Sequence, residues 1–108
     1  MSHAASAFIS QMLVGQISEL EYQVQNLQWG KAQLSSLASR LASSAEKLSS
    51  NPQASAAIQA RIKALQVREL WFDQEIKRLE DQLSIAKERQ QTSQKFQKDS
   101  LDTFKLMG

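Results

Sequence analysis

The chain has 108 residues, 42% apolar and 22% charged, with three glycines and one proline, which leaves room for one domain and too few turn residues for anything but a few long elements. A net charge of +2 does not call for nucleic acid, even with a pI of 9.1, and the lack of cysteine removes disulfide and thiol chemistry. Abundant Ala, Leu, Gln, Ser and Lys with few β-branched residues point to an all-α fold.

In chain order, Met1 to Ser6 is small and polar and is expected to fray. The apolar run up to Val14 has no Lys or Arg before it and no small-residue cleavage site after it, so a Sec-type cleaved signal is not expected. No run reaches the roughly 18 apolar residues of a membrane span. His3, a single imidazole without nearby partners, reads as a surface residue and not as a metal ligand.

Helical periodicity begins near Ala7, and a first helix is expected over about residues 7–49. Leucine recurs every seventh residue at Leu13, Leu20, Leu27, Leu34, Leu41 and Leu48, interleaved with Ile17, Val24, Lys31, Ala38 and Ala45. Taken as heptad positions d and a, the two series form one narrow seam of about 50 Å, made to lie against another helix. Lys31 at an a position is either a register-setting polar residue or a rim residue that snorkels.

The periodicity stops at Ser49-Ser50-Asn51-Pro52. A residue before proline is pushed out of the α region, while Asn51 can cap a second helix for which Pro52 already has the right φ. The turn is therefore placed at residues 50–52 and a second helix at about 53–98 or beyond. Its seam runs Ile58, Ile62, Leu65, Phe72, Ile76, Leu79, Leu83 and Ala86, with Glu69 as a polar interruption, and fades after Ala86. A short connection between matching seams predicts an antiparallel coiled-coil hairpin, with Leu20, Leu27, Leu34 and Leu41 facing the residues from Ile62 to Leu79.

A second set of apolar residues lies off this seam. Phe8, Tyr22 and Trp29 share position f on the first helix, Val67, Leu70 and Trp71 lie outside the seam on the second, and Phe96, Leu101, Phe104, Leu106 and Met107 follow after the seam fades. Two helices alone bury too little surface to stand as a domain, so these residues are read as an assembly interface with other copies of the chain. Counted from the turn, Trp29 falls level with about residue 73.

Nothing in the chain suggests catalysis or a cofactor. Glu19 with Glu21 and Glu80 with Asp81 sit on different helix faces, and no phosphate loop, nucleophile elbow or metal-ligand pair is present, so the chain is not read as an enzyme. Arg61, Lys63 and Arg68 near Trp71 are followed by interleaved acidic residues, which argues against nucleic acid.

The turn Ser50-Asn51-Pro52-Gln53, between an Ala/Leu-rich first helix and a second helix opening with Ala and Ile, resembles that of the needle subunits of type III secretion systems. The flanking segments, Arg40-Leu41-Ala42-Ser43-Ser44 and Ala57-Ile58-Gln59-Ala60-Arg61, are similar to the N-terminal helical part of flagellins. The resemblance implies a subunit exported unfolded that polymerises into an extracellular helical filament, with an export chaperone as a second partner. The other class open to such a chain is a cytoplasmic coiled-coil adaptor, chaperone or stalk component that holds another protein's helix. The two differ in stoichiometry.

Overall fold

A computed structural model describes residues 3–107; Met1, Ser2 and Gly108, together with the side chain of His3 read above as a surface group, lie outside the described residues. The chain forms an all-α helical hairpin of α1 (His3–Lys47) and α2 (Pro52–Met107). Both helices are longer than the hydropathy pattern implied. Helix α1 begins at residue 3 where fraying was expected, and α2 continues through the 101–107 patch without a break.

The reversal follows local chemistry. Asn51 Oδ1 accepts the Ala54 N–H at 3.2 Å and the Asn51 carbonyl accepts Ser55 N–H at 3.0 Å, so Asn51 caps α2 with Pro52 as its first residue. On the other side, Leu48 and Ser49 donate back into the last turn of α1, and Asn51 N–H closes on the Leu48 carbonyl at 2.9 Å. Helix α1 ends at Lys47, and Leu48, in the turn that follows, is exposed, so the sixth leucine is not part of the seam.

The described residues form two compact units, one of residues Val24–Arg78 and one of residues 3–23 with 79–107. In the first, containing the turn, Lys31 Nζ lies 2.6 Å from Asp73 Oδ1, and Ser35 Oγ donates to Glu69 Oε1 at 2.7 Å. Moving four residues up α1 moves four residues down α2, which is antiparallel pairing in the expected register. Val24 and Leu65 are buried, while Leu27, Leu34, Leu41, Ile58, Ile62, Phe72 and Ile76 are half-buried. Two helices can cover a leucine from one side only.

Lys31 is a rim residue. Its side chain is 40% exposed, and the Asp73 carboxylate raises its pKa above 10.5, first through the hydrogen bond and then through charge. Whatever the pair contributes is therefore present below that value and lost as pH rises through the raised one. Glu69, the polar interruption on α2, is accounted for by Ser35.

In the second unit Leu13, Ile17, Leu79 and Ala86 are buried, and Leu20 and Leu83 are half-buried. The seam does not stop at Ala86. It continues at the same alternating spacing through Gln90, Ser93, Gln97 and Ser100, all buried or half-buried. Here the layers are polar: Ser6 is fully buried, and Ser93 Oγ donates to the Ser6 carbonyl at 3.0 Å. Hydropathy could not reveal this part of the seam because it is built from serine and glutamine.

The two mid-helix glycines differ. A Cβ on Gly30 would stand 2.9 Å from Phe72 Cε1, whereas a Cβ on Gly15 would meet nothing within 4 Å. Gly30→Ala should therefore stabilise less than Gly15→Ala, because the end of the Phe72 ring must shift to admit the methyl group and this offsets alanine's helix propensity. Gly15→Ala should raise stability by up to about 1 kcal/mol. Thermal unfolding followed by circular dichroism separates the two.

Candidate functional site

Every side chain assigned to the off-seam set is exposed: Phe8, Tyr22, Trp29, Val67, Leu70, Trp71, Phe96, Leu101, Phe104, Leu106 and Met107. The helical period explains the turn unit. A seam using positions a and d turns position f directly away, and Trp29 sits there with 68% of its surface exposed. Trp71 is less isolated. Its ring meets Phe72 edge-on, with centroids 5.1 Å apart and planes at 83°, so it props a seam residue as well as facing solvent.

Met12, Val14, Leu37 and Ile85 are also exposed and were not anticipated. Met12 and Ile85 matter most, because they form opposite rims of one groove in the unit that carries the chain termini. Ile9, Met12, Gln16 and Glu19 line it from α1, and Gln82, Ile85, Arg89, Thr92 and Phe96 from α2. Both sets are spaced by fours and threes, parallel to the main seam and displaced to one flank. That second stripe was the signal available in the sequence; its alternation with Arg89, Thr92 and Gln16 concealed it.

The groove exists because its floor is shallow on one side. Ala86 and Ser93 occupy seam positions of α2 with small side chains, and the two adjoining stretches of the groove hold about 740 Å³ beside Ala86 and about 540 Å³ beside Ser93. Charges of both signs border it, with Glu19 on α1 and Glu88 and Arg89 on α2.

No family model, curated protein or solved structure matches this chain. What the surfaces can do must therefore be read from their own chemistry. The groove combines the apolar rims of Ile9, Met12, Ile85 and Phe96 with charged and polar edges, a surface of the kind that takes the apolar face of an amphipathic helix. No helix among the described residues is long and apolar enough to cross a membrane.

Proposed function

We propose that this chain is a non-enzymatic structural subunit that assembles with copies of itself into a helical filament of the exported, secretion- or flagellum-like kind. The observation that carries the reading is the outward placement of both tryptophans, Trp29 above all, in a fold whose own seam has no use for Trp29. Aromatic side chains of this size bury about 150–250 Å² and dominate interfaces when covered.

The area supports the same reading. The chain exposes 8065 Å². A compact monomer of 12.1 kDa would expose about 6,000 Å², which leaves roughly 2,000 Å² in excess. A standard interface takes about 800 Å² from each partner, so the surplus suits more than one contact per subunit. Repeated head-to-tail contact generates open polymers, whereas a single self-complementary patch closes as a dimer.

A concentration series of the purified chain, followed by sedimentation velocity and negative-stain microscopy, tests this. The expected result is monomer below a critical concentration and long particles above it. A discrete complex of a few chains would instead support a cytoplasmic adaptor that holds a partner's helix. A monomer at every concentration would remove self-assembly altogether.

A further inference from the structure

We infer that the groove between the Met12 and Ile85 rims is the receptor for the C-terminal part of α2 from a second copy, so that successive subunits join head to tail. The inference rests on the self-assembly reading and specifies its contact. Three observations converge on this occupant.

The first is an unexplained glycine. Gly30 has a reason within the chain, since Phe72 fills the space its side chain would take; Gly15 has none, with open space above it on the groove's rim. A mid-helix glycine costs about 1 kcal/mol relative to alanine, and its use where nothing touches it fits close approach by a backbone from outside.

The second is the match of shape and length. Residues 101–107 continue α2 with every side chain exposed, including Leu101, Phe104, Leu106 and Met107. Residues 98–107 and the groove wall over residues 9–19 are each about 15 Å long. The segment does not fold back onto its own chain's groove, because α2 runs through it as one unbroken helix.

The third is charge. Asp102 and Lys105 are three residues apart and share a helix face, while Arg89 and Glu19 border the same stretch of groove. One orientation of the incoming helix sets Asp102 beside Arg89 and Lys105 beside Glu19. The excess exposed area already described exceeds what one such contact covers.

The chain has no cysteine, so introduced cysteines report positions cleanly. Full-length Gln16→Cys and Thr103→Cys chains, which change exposed positions and leave Gly15, Asp102 and Lys105 in place, are mixed above the critical concentration and treated with a short bismaleimide. The expected product is a dimer of twice 12.1 kDa joining unlike chains, in at least tenfold excess over like-with-like products, and lost when Ile85→Glu is added to the groove chain. Ile85 is exposed, so circular dichroism should show that this variant keeps its helix.

Predominant like-with-like products would overturn the inference in favour of face-to-face pairing. So would cross-linking within one chain that carries both cysteines, which would place the segment on its own groove. Large assemblies without the unlike product would overturn the groove assignment and leave self-assembly standing. A wild-type chain that stays monomeric would overturn both.

Discussion

Leu79→Ala should destabilise the hairpin by about 2–5 kcal/mol, a large share of the roughly 5–15 kcal/mol that holds a typical small domain. Leu79 is 4% exposed, the most deeply buried large apolar side chain among the described residues, and two helices have few means to collapse onto the cavity left behind. The comparison that isolates burial from composition is Ile85→Ala. Ile85 is an aliphatic side chain of the same size, six residues along the same helix, but 49% exposed in the groove. Its loss should change monomer stability by less than about 0.5 kcal/mol. Denaturant unfolding in dilute solution would show the difference, and equal midpoints for the two variants would mean that the seam does not carry the stability. Leu34→Ala belongs between them, since Leu34 is half-buried.

Trp29→Ser should abolish large assemblies while leaving the helical circular dichroism signal of the monomer nearly unchanged. The variant removes an exposed indole from the face opposite the seam, where only another molecule can cover it. Trp71→Ser should also weaken assembly, with an added loss of monomer stability of about 0.5–1.5 kcal/mol from its edge-on contact with Phe72. Microscopy together with thermal unfolding reads both effects. If Trp29→Ser lost helix and assembly together, the indole would belong to the subunit's own core, and the division between folding face and assembly face would be wrong.

The parts of the fold that were legible in the sequence were those written in leucine and proline. Heptad spacing located the buried residues Leu13, Ile17, Val24, Leu65 and Leu79, and the Asn51-Pro52 pair located the reversal. Three features were hidden, each for a physical reason. Leu48 kept the period but fell beyond the end of α1, because periodicity marks where a helix could run and capping decides where it stops. The layers after Ala86 use serine and glutamine, so burial there left no hydropathic trace. The groove rims alternate apolar with charged residues, so no single window showed them as a face.

The polar layers around Ser6 and Ser93 give the hairpin an order of opening. Between Leu13 and Leu79 the seam is held by burial of apolar surface, which is lost only when helices separate. Around Ser6 and Ser93 it is held by a hydroxyl-to-carbonyl bond that water can replace, and the Ser6 hydroxyl has no hydrogen-bond partner among the described residues. Parting the helices there hydrates a group that burial penalises, so this end gives way first and at small cost. Backbone amides flanking Ser6 and Ser93 should therefore exchange with solvent faster than those flanking Leu13 and Leu79.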